Sequence, residues 1–236
     1  MIRIESLDNP KVKQAAKLRG KGGDRFLVEG RHLVEMAAQS GCLESYFATD
    51  EMSFPATGYL VDYRVIKKLS SSITPEPVLG IAKAKAGSLE IGERALLLDR
   101  VQDPGNLGTL LRSALSFGFH DVIATPGTCS YFNSKAIQSS QGAIFSLNLL
   151  RLSEQEAVGL LAEKDIPLIG TSLEKAVDVR DFSFPKRLCL CLGNEGSGVS
   201  GYLLSHSLAN VKIPIRGIDS LNVGVAGGIL MYLCSV

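Results

Sequence analysis

The 236-residue chain, 25.2 kDa, has room for one large domain or two small ones, each with a buried core. Its 45% hydrophobic and 21% charged residues exclude a fibrous, low-complexity or disordered protein. A net charge of +1 excludes a uniformly basic nucleic-acid binder but leaves open where the charges sit.

They are not evenly spread. Residues 10–25 carry six basic side chains, Lys11, Lys13, Lys17, Arg19, Lys21 and Arg25, against the single acid Asp24, a net +5 that leaves −4 for the rest. This window reads as a helix followed by a basic loop broken by Gly20, Gly22 and Gly23, which suits either a solvated helix face or a phosphate backbone. A strand is predicted at residues 25–30, then a helix over 31–40, opened by Arg31 and burying Leu33, Val34, Ala37 and Ala38, with Gly41 as its stop. Apolar runs at 43–48, 59–61 and 78–82 complete a small α/β domain over residues 1–85, and the stretch 83–94, rich in Ala, Gly and charge, reads as containing its linker, residues 86–94.

From residue 95 the pattern is regular. Continuously apolar strands are predicted at 95–98, 122–125, 168–171, 188–192 and 210–213, separated by helices, which indicates a mainly parallel sheet covered on both faces. Sites in such sheets lie beyond the carboxyl ends of the strands, so the loops there are the ones to read for chemistry. Cys189 and Cys191 share one face of their strand as small hydrophobes. Five cysteines without C-x-x-C spacing, and His32, His120 and His206 set singly, predict no metal site and a reducing, cytoplasmic setting. The terminal apolar run 223–236, interrupted by Gly224, Gly227 and Gly228, falls short of the roughly 20 residues of a membrane helix and is expected to be a buried helix.

Three loops stand out. After residue 98, Pro104 and Gly105 make a turn and Asn106 stands as the expected cap of a helix striped by Leu107, Leu110, Leu111, Ala114 and Leu115, with Arg112 beside that stripe. After residue 192 comes Gly193-Asn194-Glu195-Gly196-Ser197-Gly198, where an acid amid glycines is able to orient a ligand or an arginine such as Arg112. Its G-x-x-G-x-G spacing is not the dinucleotide fingerprint, which disfavours a nicotinamide cofactor. After Ile213 and Pro214, Ser220 and Asn222 cap the glycine-rich last helix, whose glycines imply close packing against another loop or a second subunit. Taken singly, each loop also admits a structural reading: a cap for Asn106, a solvent ion pair for Arg112, a strand-to-helix turn for the glycines.

In this order the loops resemble the three motifs of the SpoU (TrmH-like) branch of the SPOUT RNA methyltransferases: N-x-G-x-x-x-R at Asn106, Gly108 and Arg112; L-G-x-E-x-x-G at Leu192, Gly193, Glu195 and Gly198; and I-P with S-L-N-V at Ile213, Pro214, Ser220, Leu221, Asn222 and Val223. The resemblance covers residues 95–236. The N-terminal part, with Asn9-Pro10-Lys11-Val12-Lys13 and Phe26-Leu27-Val28-Glu29-Gly30, resembles the ribosomal-protein-L30e-like substrate-binding domain of ribosomal RNA members. Gln138-Ser139-Ser140 departs from the R-A-S common among relatives, and an acid common near the end of the last helix is missing at Tyr232 to Cys234.

The resemblance implies an α/β fold with a C-terminal deep trefoil knot and a homodimer. It implies S-adenosylmethionine-dependent methylation of a ribose 2′-hydroxyl, in rRNA ahead of tRNA, the non-catalytic alternative being an RNA-binding or ribosome-assembly protein. It further implies a cofactor site formed by Thr171, Leu192, Gly193, Asn194, Glu195, Gly196, Ile213, Pro214, Ser220, Leu221 and Asn222, and catalytic roles for Arg112, Asn106, Glu195, Ser220 and Asn222. Lys11, Lys13, Lys17, Arg19, Lys21, Arg25 and Arg31 are the expected RNA contacts.

Overall fold

The computed structural model describes residues 1–20 and 23–235; Lys21 therefore lies outside the described residues. In chain order the elements are β1 (Ile2–Ile4), α1 (Pro10–Ala16), β2 (Arg25–Glu29), α2 (Arg31–Gln39), β3 (Leu43–Ala48), β4 (Thr57–Val61), α3 (Tyr63–Leu69), β5 (Val78–Lys83), β6 (Arg94–Leu98), α4 (Pro104–Ser116), β7 (Asp121–Ala124), α5 (Ser134–Ser140), β8 (Asn148–Arg151), α6 (Glu154–Glu163), β9 (Leu168–Thr171), β10 (Val177–Asp178), β11 (Leu188–Leu192), α7 (Gly201–Ser205), β12 (Ala209–Lys212) and α8 (Val223–Ser235). They form two compact units, Met1–Ala86 with Ser130–Ser146, and Gly87–Cys129 with Leu147–Val236.

The first unit holds a five-stranded sheet of order β1-β4-β3-β5-β2, parallel at β1/β4 and β3/β4 and antiparallel where β5 meets β3 and β2. Asn9 caps α1 by accepting from Lys11 N at 2.9 Å, with Pro10 in the first helical position, so the basic window begins as a helix. Its buried side, Val12 and Ala15, packs with Val65, Ile66 and Leu69 of α3 on Leu27, Phe47, Tyr59 and Leu79. Segment 130–146, expected from sequence within the 95–236 domain, belongs to this unit instead. Phe132 stacks on Phe26 with ring centroids 4.5 Å apart, and Gln138 Nε2 donates to Glu29 O at 3.1 Å. The departure at Gln138 is thus a contact within the first unit.

In the second unit seven strands lie in the order β10-β12-β9-β11-β6-β7-β8, with every pairing parallel. Both faces are covered, which accounts for the unbroken apolar strands. Cys189 and Cys191 point to one face with Leu160 and Leu161 of α6 and Leu203 of α7, and burial pushes both thiols up in pKa. Gly227 of α8 approaches Leu110 of α4 and Leu192 on the other side of β11. The edge strands β8 and β10 are not predicted from sequence, being short and partly polar. Nor is the stretch after Ala86 a loose linker: Ser88 N and O pair with the Asn148 amide at 2.8 Å each, and Gly92 N donates to Asp121 at 2.8 Å. Among the described residues no helix is long and apolar enough to cross a membrane.

Candidate active site

The strand order of the second unit sets β6, β11, β9 and β12 side by side, so the loops that follow them converge at one end of the sheet. At the first loop the structure corrects the expected cap. Helix α4 begins at Pro104, and its cap is Asp103, whose Oδ1 accepts from Asn106 N at 2.9 Å. Asn106 therefore sits in the first turn with its side-chain amide available. That amide joins the three loops: Asn106 Nδ2 donates to Glu195 Oε1 at 3.0 Å, and Asn222 Nδ2 donates to Asn106 Oδ1 at 2.8 Å.

Glu195 also accepts from the backbone nitrogens of Gln102 and Asp103, both at 3.1 Å. Partial burial raises its pKa, but these donors, led by the Asn106 amide, outweigh that effect and hold the carboxyl below its usual range. Asn222 Oδ1 accepts from Gly224 N at 2.9 Å and Val225 N at 3.2 Å, which caps α8 as expected. Ser220 is exposed and forms no part of this cap.

The glycine loop is closed on itself. Asn194 and Gly198 exchange backbone bonds of 3.1 and 2.9 Å, and Asn194 Oδ1 accepts from Gly196 N at 2.9 Å and Ser197 N at 3.0 Å. A methyl group on Gly193 would overlap the Gly198 carbonyl carbon and the Val199 nitrogen, so only glycine fits. Beside this loop lies a cavity of about 400 Å³. Of the expected cofactor residues, Thr171, Leu192, Gly193, Asn194, Glu195, Gly196, Ile213, Ser220 and Leu221 line it, whereas Pro214 and Asn222 do not. Outside the expected cofactor set, the lining also includes Ser172, Leu173, Gly198, Val211, Lys212, Ile215, Asp219, Val223, Ala226 and Leu230. The spacing of Val223, Ala226 and Leu230 on one face of α8 was the available signal.

Arg112 is the residue the structure leaves apart. It is exposed on α4, lines no part of the cavity, and makes no ion pair with the described residues; Glu195 is engaged with Asn106 instead. Of the expected RNA contacts, Lys11, Lys17 and Arg19 are exposed, while Lys13, Arg25 and Arg31 pair with Asp8 at 3.0 Å, Glu44 at 2.7 Å and Glu35 at 2.7 Å. Among the described residues no group of three or more His, Cys, Asp or Glu gathers as a metal site would require.

The three-loop arrangement agrees with a family-wide match: the model of the SpoU rRNA Methylase family covers residues 93–232. The chain belongs to this family. Among the relatives of this SpoU methylase is the 23S rRNA (guanosine(2553)-2′-O)-methyltransferase RlmP of Bacillus subtilis (strain 168), 34% identical and covering 98% of each chain. The 23S rRNA (guanosine-2′-O-)-methyltransferase RlmB of Escherichia coli (strain K12) is 35% identical over 139 residues, 58% of this SpoU methylase and 57% of the relative. The AdoMet-bound crystal structure of an rRNA methyltransferase from Sinorhizobium meliloti superposes with a TM-score of 0.88 at 26% identity, over 98% of this chain and 96% of that one.

Proposed function

We infer that this SpoU-family chain transfers a methyl group from S-adenosylmethionine to a ribose 2′-hydroxyl of ribosomal RNA. One observation carries the reading: Glu195 lines the cavity and at the same time holds Asn106, which holds Asn222, so the pocket and all three motif loops form one assembly. The cavity fits the cofactor in kind. Its volume lies in the range of small-molecule sites, roughly 300–1,000 Å³. Apolar Leu192, Ile213, Leu221 and Leu230 suit a planar heterocycle, and the carboxylate of Asp219 suits hydroxyl and cationic groups. When bound, S-adenosylmethionine supplies an electrophilic sulfonium methyl.

The chain's task is then to orient the 2′-oxygen and to favour the charge that develops on it. Arg112 is the group for this, because a guanidinium is very hard to deprotonate and therefore acts as a fixed cation. It binds an RNA phosphate and stabilises the developing alkoxide, with Asn106, Ser220 and Asn222 aligning the ribose. The basic window of the first unit follows the RNA backbone, and five free cysteines suit a reducing cytoplasm.

Two further features belong to the reading. The trefoil knot would involve α8, which closes over α4 and β11 at Gly227. A homodimer would cover the stripe of exposed Val225, Ile229 and Tyr232 on α8, the helix that meets α4 at Thr109, Leu110 and Ser113; sedimentation should return twice the 25.2 kDa chain mass. To test the substrate class, labelled cofactor is incubated with rRNA and tRNA from cells lacking the gene. Label in large-subunit rRNA is expected; label confined to tRNA, or no transfer at all, contradicts the assignment.

A further inference from the structure

The residues that hold the glycine loop include a pair outside all three motifs. Asp99, directly after β6, is completely buried. Its carboxylate is saturated: Thr125 Oγ1 donates at 3.0 Å, Ser200 N at 2.8 Å, and Arg100 through Nε at 3.0 Å and Nη2 at 2.9 Å. A buried carboxylate with this many donors is a fixed anchor, and its neighbour is held to it in bidentate fashion.

Arg100 itself has φ +56°, a left-handed conformation that costs any residue but glycine. Three contacts sustain it. Arg100 N donates to Thr125 Oγ1 at 3.1 Å, Arg100 O accepts from Asn194 Nδ2 at 2.9 Å, and Nη2 reaches Gly198 O at 3.3 Å. The stem is given room by Gly127, where a methyl group would come within 3.1 Å of Arg100 Cγ. Asn194 and Gly198 are the two residues whose backbone bonds close the cofactor-side turn, and Glu195 lies between them. Backbone and side chain of Arg100 thus grip both ends of the turn that presents Glu195 to Asn106. A glycine would adopt this backbone without strain; an arginine here is explained by what its guanidinium reaches.

We propose that Arg100, anchored on Asp99, is a positioning residue for the cofactor loop: it sets the 194–198 turn and, through it, the carboxylate of Glu195. This role rests on the reading of the cavity as an S-adenosylmethionine site and is independent of RNA binding.

The test is calorimetric binding of S-adenosylmethionine, with methyl-transfer kinetics and RNA affinity, on the full chain and three variants. Arg100→Gly keeps the left-handed backbone and loses the guanidinium; Arg100→Ala loses both; Asp99→Asn/Arg100→Gln leaves no buried charge unpaired and so protects the fold. All three are expected to weaken cofactor binding by about tenfold or more, the size of a missing charge-assisted hydrogen bond. KM for the cofactor rises while RNA affinity is kept. A scaffold role alone would lower the melting temperature and leave that KM unmoved. Wild-type cofactor affinity in Arg100→Gly or in the double variant overturns the proposal and leaves the proposed function standing. Absence of cofactor binding by the unaltered chain overturns both.

Discussion

Glu195 and Arg112 carry opposite charges and are natural partners by sequence, yet the structure employs them separately. Glu195 spends its acceptors on Asn106 and on the backbone of Gln102 and Asp103, all of which favour the ionised form. Because its folded pKa is lowered, the contribution of this network is complete above the ordinary value of 4.5 and is lost as pH falls through the lower, folded value. Cofactor binding should therefore persist from neutrality to below pH 4.5 and fall only as pH passes through the lower, folded value. Glu195→Gln, which replaces one acceptor oxygen by a donor facing backbone N–H groups, should bind about tenfold more weakly at neutral pH. Calorimetry across pH on both proteins checks this. Arg112 lies exposed and without an ion pair among the described residues. Arg112→Ala should abolish methyl transfer with cofactor affinity nearly intact; loss of cofactor binding would refute its assignment to the RNA side. Both residues were legible as motif members. The cap of α4 was not, because Asp103, three residues before Asn106 and followed by Pro104, is an equally good cap by residue type, and only the structure decides between the two.

At the scale of elements, the central strands of the second unit were legible because burial on both faces demands unbroken apolar runs such as residues 188–192. Those runs located the loops, and the loops located the site. Edge strands follow no such demand: β8 is Asn148-Leu149-Leu150-Arg151 and β10 only two residues, so neither has a pattern long enough to read. The first unit combines Met1–Ala86 with Ser130–Ser146, and the second of these segments has no local signal in the sequence. Its membership depends on Phe132 meeting Phe26, a pairing more than a hundred residues apart that no local pattern encodes. The glycine loop offers the sharpest test of an element. Gly193→Ala has no flexible neighbour to displace, since its methyl would meet the backbone of Gly198 and Val199. Overpacking of this kind costs about 1–3 kcal/mol, and here it must open the Asn194–Gly198 turn. Thermal melting should shift down, and calorimetric cofactor binding should disappear; a variant that still binds would mean that the turn is not needed.

Over the whole molecule, a near-zero net charge averages a strongly basic stretch and a mildly acidic remainder, +5 in residues 10–25 against −4 elsewhere. The exposed pairs formed by Lys13, Arg25 and Arg31 are weak enough to exchange for phosphate contacts. Lys11, Lys17 and Arg19 make no ion pair among the described residues and are the first candidates for RNA. Replacing these three by Gln should weaken RNA binding and flatten its salt dependence by roughly 2 in log–log slope, about 0.7 for each phosphate no longer neutralised, with cofactor affinity unchanged. An unaltered slope would return the window to a solvated helix face. The chemistry of the second unit has a more direct measurement. After reaction with methyl-labelled cofactor, rRNA is hydrolysed in alkali, which cannot cleave beside a ribose whose 2′-oxygen is methylated. Label recovered in an alkali-resistant dinucleotide is the predicted result; label in ordinary mononucleotides, carried on a base, would contradict it.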